Sequence, residues 1–212
     1  MERMTRPLLR AIKIGLLILA VLVGIRCLID PNYHKYGGFI AGMLLPFGPE
    51  FIKLTFKGRV TPRIELIYYL FVFVALHLGI NMDFYRTVPY FDKAVHFSSG
   101  IFSALAGHYA IQHYKMSSAP AHFKAIFIVG FSLGIAVLWE FFEFACDKFL
   151  GQSMQQLVST GVDDTMYDLI VAFFGCLLGG FMITNAKFVA YIDWLGPDLK
   201  LKPLKKSSKK DD

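Results

Sequence analysis

Six apolar runs, each near the length of a membrane-crossing helix, fill most of the 212 residues and constrain the fold more than any other feature. A bilayer core takes about 20 mainly apolar helical residues to cross. Inside it every backbone polar group must be satisfied within the segment, which leaves helices or closed barrels. The runs cover 11–29, 36–55, 64–80, 94–113, 125–145 and 165–186. They predict an all-α polytopic membrane protein, a bundle of about six transmembrane helices in one domain over 1–196. Pro46, Gly48, Pro49 and Glu50 interrupt the second run, so it is expected to kink or break. Composition agrees: 55% of residues are hydrophobic and 18% charged, against roughly 45–50% and 25% in soluble domains. The lipid bilayer is therefore the first partner.

Lys and Arg set the orientation, because they are retained on the cytoplasmic side. With the N-terminus inside and the runs alternating, seventeen of the 22 basic residues fall inside and five outside. Both termini are then cytoplasmic, and the location expected is the plasma (inner) membrane, multi-pass. Arg3, Arg6 and Arg10 before the first run also suit a secretory signal. The run is too long for one, however, and Arg26 and Asp30 stand where small cleavage-site residues belong. The +6 net charge would suggest nucleic acid in a soluble protein. Here it is topological and faces anionic lipid, so no nucleic acid partner is expected. Phe188, Tyr191, Ile192, Trp194 and Leu195 recur at helical spacing, which predicts an interfacial helix over 187–196. The stretch 197–212 reads as a basic, disordered cytoplasmic tail. Cys27, Cys146 and Cys176 have no paired spacing and predict no disulfide framework. Nothing in the chain sets an oligomeric state.

The informative residues are the ionisable ones at the run edges, since charge in a membrane segment is costly and marks function by default. Asp92 and His96 open the fourth run, four residues apart on one face. Glu140, Glu143 and Asp147 close the fifth at i, i+3, i+7. Asp164 and Asp168 open the sixth. The alternation puts all three polar faces on the outer side at similar depth, with Ser98, Ser99, Gly100 and Ser103 small enough for close helix approach. Asp92, His96, Glu140, Glu143 and Asp168 form the candidate cluster, with Asp147 and Asp164 as its outer support. Carboxylates with one His suit a divalent metal ion such as Mg²⁺, Mn²⁺, Ca²⁺ or Zn²⁺. The same set suits a proton relay, or an acid/base pair acting on a lipid or envelope substrate.

Simpler roles stay open for each. Asp92 fits an N-cap, and Thr165 with Asp168 fits a capping box. His96 or His77 alone fits a hydrogen-bonded packing residue, and Asp147 and Asp164 fit solvated loop charge. Glu140 and Glu143 resist such readings best. They follow a long apolar run and oppose the helix dipole, so His96, Lys93, Arg86, a metal ion or a proton must compensate them. His77, Asn81 and Asp83 end the third run on the same side as candidates to extend the site.

The motifs Asp92-Lys-Ala-Val-His-Phe, Trp139-Glu-Phe-Phe-Glu and Asp163-Asp-Thr-Met-Tyr-Asp-Leu-Ile-Val-Ala-Phe-Phe-Gly occur in this order over about 88–180. In them the chain resembles YjdF-type bacterial inner-membrane proteins. A fainter likeness is to VanZ-like proteins, through the D-x-x-x-H opening and the later Asp. The chain departs from the family's D-x-x-x-N-x-x-G by having Ala172 before Gly175. The resemblance implies an outward-facing envelope role and names no reaction. Two other classes compete: an ion- or proton-coupled transporter, favoured by the broken second run, and a scaffold without chemistry. P-loop, HExxH and dinucleotide fingerprints are absent from the sequence.

Overall fold

The computed structural model describes residues 2–56, 60, 62–155 and 162–184. Among them every regular element is helical. The chain runs α1 (Glu2–Ile29), α2 (Tyr36–Leu44), α3 (Gly48–Phe56), α4 (Pro62–Val72), α5 (Phe84–Thr87), α6 (Phe91–His113), α7 (Ala121–Leu150) and α8 (Asp163–Thr184). The expected interfacial helix over 187–196 and the basic tail over 197–212 lie outside the described residues.

The second run breaks where its prolines predict. A single tight turn over Leu45–Phe47 separates α2 from α3. The Gly48 backbone N–H donates to the Leu45 carbonyl across this turn, and the Tyr68 hydroxyl donates to the same carbonyl at 2.8 Å. Pro62 opens α4 in the first turn, where its missing N–H costs nothing. The helix then widens into a π-helix over Phe73–Asn81, a form found mostly as short insertions at functional sites. Gly151, at φ +63°, ends α7 in the left-handed conformation that glycine adopts without penalty.

The helices pack as two sets. Leu9 and Leu16 of α1, Ala41 of α2, and Tyr69, Val72, Leu76 and Ile80 of α4 and its extension share one core. Ala104, Ile111, Ile128, Cys176 and Ile183 of α6, α7 and α8 share the other. Trp139 and Phe142 of α7 close the first core from the second set. The Phe71 and Phe102 rings meet across the seam at 5.0 Å. All three cysteines are free and buried.

Among the described residues four helices are long and apolar enough to cross a membrane: Arg6–Ile29, Pro62–Asn81, Ala121–Leu150 and Asp163–Ile183. Large apolar side chains such as Leu54, Leu138, Phe141 and Phe174 stand exposed on the outside of the bundle, the inverse of a soluble protein. α6 is as long but more polar, and it buries His96, Ser103 and His108 against its neighbours.

Candidate functional site

The close approach of α6 and α8 builds the site. A Cβ on Gly100 would collide with the Ala172 carbonyl, and one on Gly175 with the Phe97 carbonyl. Only hydrogen fits at either position, so the two backbones touch. Ala172, where the resembling family has Asn, is buried at this contact one turn below Asp168. The contact carries the first turns of α6 and α8 together, and the last turns of α7 close the third side.

Asp92 lies inside the first turn of α6; the cap position belongs to Tyr90, at φ 59°. Thr165 likewise lies inside α8, which starts at Asp163. Both carboxylates that fitted caps are therefore used elsewhere. Lys93 Nζ donates to Asp92 Oδ2 at 2.9 Å and to Asp164 Oδ1 and Asp168 Oδ1 at 2.8 Å each. His96 Nε2 lies 3.4 Å from Asp92 Oδ1 and 3.8 Å from Asp168 Oδ1, while Nδ1 lies 3.9 Å from Glu140 Oε1. Asp168 is 1% exposed and Glu140 4%. Asp92, His96 and Asp168 each offer a ligand atom within 4.8 Å of the others, a spacing that one cation can bridge.

The two glutamates differ. Glu143 Oε1 accepts from Trp139 Nε1 at 2.9 Å. Neither oxygen of Glu140 has a hydrogen bond within 3.5 Å. It faces the His96 ring, the Thr165 hydroxyl and the Gln155 amide, and those last two groups bond to each other at 3.0 Å. Asp147 spends both oxygens on the segment after α7, accepting the Met154 and Gln155 backbone N–H groups at 2.6 and 2.9 Å. His77 pairs with Asn81 at 3.0 Å, and Asp83 pairs with Lys35 at 2.6 Å.

An open cleft leads to this centre, with Lys35, Tyr85, Arg86, Asp92, Glu143 and Gln152 in its walls. Asp83 and Tyr90, both left-handed, bracket the short segment that sets Tyr85 over the site. Such φ values cost non-glycine residues about 1 kcal/mol or more and concentrate at functional sites. A Cβ on Gly79 would strike the Tyr85 ring, so the π-helix makes room for it. Burial, and then the charges of Asp92, Glu143 and Asp168, push the Tyr85 hydroxyl above the ordinary tyrosine range. It therefore remains a hydrogen-bond donor at any physiological pH.

Tyr85 escapes sequence reasoning because a turn, not a helix period, places it. Lys93 left a trace: a cation in the first turn of a helix opposes the dipole and needs a reason. Five carboxylates (Asp92, Glu140, Glu143, Asp164 and Asp168) gather around one ammonium and one imidazole. Buried carboxylates in that excess require protons or a further cation.

Residues 9–187 match a family described as predicted membrane protein (DUF2238). The chain belongs to this family. An uncharacterized protein of Thermotoga maritima is 31% identical over 142 residues, which cover 66% of this chain and 71% of the relative. No solved structure matches. Membership agrees with the likeness to YjdF-type membrane proteins, and the matched span holds every residue of the acidic centre.

Proposed function

We propose that this family member crosses the plasma membrane six times with both termini inside. Its outward-facing acidic/His centre binds a divalent cation and serves a lipid-linked or envelope substrate that enters by the cleft. α6 and the α2–α3 pair complete the crossings that the four most apolar helices begin. One observation carries the cation reading: the Glu140 carboxylate is 4% exposed, has no hydrogen bond, and lies 3.9 Å from a histidine that also faces Asp92 and Asp168. A hard cation supplies the missing positive charge with oxygen and imidazole ligands. Lys93 holds the carboxylates of α6 and α8 in place meanwhile. Transport draws less support, since the carboxylates and His96 gather in one layer at one end of α6, α7 and α8 and do not line a path along the bundle.

The test is manganese and zinc binding by detergent-purified protein. Wild type is expected to bind one ion, and His96→Ala to bind at least about tenfold more weakly. Failure of wild type to bind any divalent cation would remove the proposal. Externally added maleimide should label Ser153→Cys and spare Lys115→Cys; the opposite pattern would invert the topology.

A further inference from the structure

The opposite end of the bundle holds a second pocket with the opposite charge balance. α1 contributes Arg6, Arg10 and Lys13 to it, at helical spacing i, i+4, i+7 on one face. α3 contributes Lys53 and Glu50, and α4 contributes Glu65. Each carboxylate is already neutralised: Lys13 Nζ lies 2.7 Å from Glu50 Oε1, and Lys53 Nζ lies 2.8 Å from Glu65 Oε2. Tyr69 also donates to Glu65, at 3.1 Å. Arg6 and Arg10 remain without a carboxylate partner among the described residues, so the pocket carries two positive charges in excess. Topology explains basic residues on this side but not their convergence on one pocket between three helices.

We propose that this pocket binds the phosphate of an anionic glycerophospholipid, phosphatidylglycerol in type. Two guanidinium groups suit a phosphate, which they recognise through forked, charge-assisted hydrogen bonds. Three observations favour a lipid over a soluble phosphate. The pocket opens beside membrane-crossing helices, at the end that the charge bias makes cytoplasmic, where anionic headgroups lie. Leu8, Phe51, Leu54 and Leu66, each next in sequence to a residue that lines it, stand exposed and offer acyl chains an apolar surface on the same helices. Glu50 Oε2 is buried without a hydrogen bond, an acceptor that a headgroup hydroxyl can satisfy. The inference is independent of the cation centre at the other end.

Melting curves of detergent-purified full chain, titrated with phosphatidylglycerol, phosphatidylcholine or inorganic phosphate, test it. Phosphatidylglycerol should raise the melting temperature saturably and phosphatidylcholine should not. Arg6→Gln/Arg10→Gln should weaken the apparent affinity about 30-fold, at roughly a factor of five per basic residue. Lys209→Gln/Lys210→Gln removes the same charge from the tail and should leave the affinity unchanged. Equal losses in the two double variants would overturn the pocket in favour of a diffuse field. An equal response to inorganic phosphate alone would overturn the lipid assignment. Should Arg6→Gln/Arg10→Gln fail to fold, Arg6→Lys/Arg10→Lys takes its place. It keeps the charge but loses the fork, and unaltered affinity in it would overturn guanidinium recognition. Native mass spectrometry of wild type should retain phosphatidylglycerol against excess phosphatidylcholine, and exchange at random would sink the proposal.

Discussion

The two ends of the bundle solve the same problem differently. At the α1–α3–α4 end each glutamate has its own lysine, Lys13 for the part-exposed Glu50 and Lys53 for the buried Glu65. At the α6–α7–α8 end one lysine serves three aspartates, and Glu140 faces no lysine but a histidine at 3.9 Å, the Thr165 hydroxyl and the Gln155 amide. One-to-one pairing is a closed structural solution for the carboxylates, and Arg6 and Arg10 are the cations left over for the proposed lipid phosphate. Sharing leaves carboxylate in excess, which the proposed cation would offset. Buried ion pairs are weak evidence for stability, since apolar replacements of both partners are often neutral. An imbalance held at 1–8% exposure, as at Glu140, Glu143, Asp164 and Asp168, is better evidence for a site.

Breaking the pairing should hurt the two ends unequally. Lys93→Met removes the ammonium that Asp92, Asp164 and Asp168 share and should cost about 3–5 kcal/mol, measured by unfolding in mild detergent. Lys53→Met strands one, which keeps its bond from Tyr69, and should cost about 2 kcal/mol. Equal losses would mean that the hub geometry of Lys93 contributes nothing of its own.

The next contrast leaves every charge in place. Gly175→Ala puts a methyl group against the Phe97 carbonyl and should cost about 1–3 kcal/mol through forced separation of α6 and α8. Gly15→Ala on α1 meets nothing within 4 Å. It should be neutral or gain up to about 1 kcal/mol from helix propensity. If Gly175→Ala behaves like Gly15→Ala, the glycine contact does not set the site.

The sequence makes much of this arrangement legible, and its gaps have physical causes. The break at Pro46 and the shared faces of Asp92 with His96, and of Glu140 with Glu143, follow from covalent geometry and helical period. Those rules act within one segment. Lys93 as a hub depends on how closely α6 and α8 approach, and that closeness comes from Gly100 and Gly175 acting across the interface. Tyr85 is set by two left-handed residues and a π-helix, which no periodicity encodes. Lys35 and Gln152 reach the cleft from loops far apart in sequence. At the other end, Arg6 and Arg10 carry a topological signal strong enough to mask their convergence with Lys53. Glu50 registers only as part of a helix break, although it bonds Lys13 across 37 residues.

A smaller effect separates the centre from its supports. Asp147→Asn weakens the acceptor that holds the Met154 and Gln155 backbone, and should cost about 1 kcal/mol. Its cation affinity should match wild type, because Asp147 turns both oxygens to the loop. A large loss of affinity would draw Asp147 into the centre.

The most direct test of the charge deficit is the thermal stability of wild type and Glu140→Gln, each with and without Mn²⁺. Glu140→Gln keeps the shape and removes the unpaired charge. Without cation it should be as stable as wild type or more so. At one hundred times the wild-type dissociation constant, Mn²⁺ should stabilise wild type by about 2.7 kcal/mol and the variant by much less. A variant that is less stable without cation, together with equal responses of both proteins to Mn²⁺, would contradict the account.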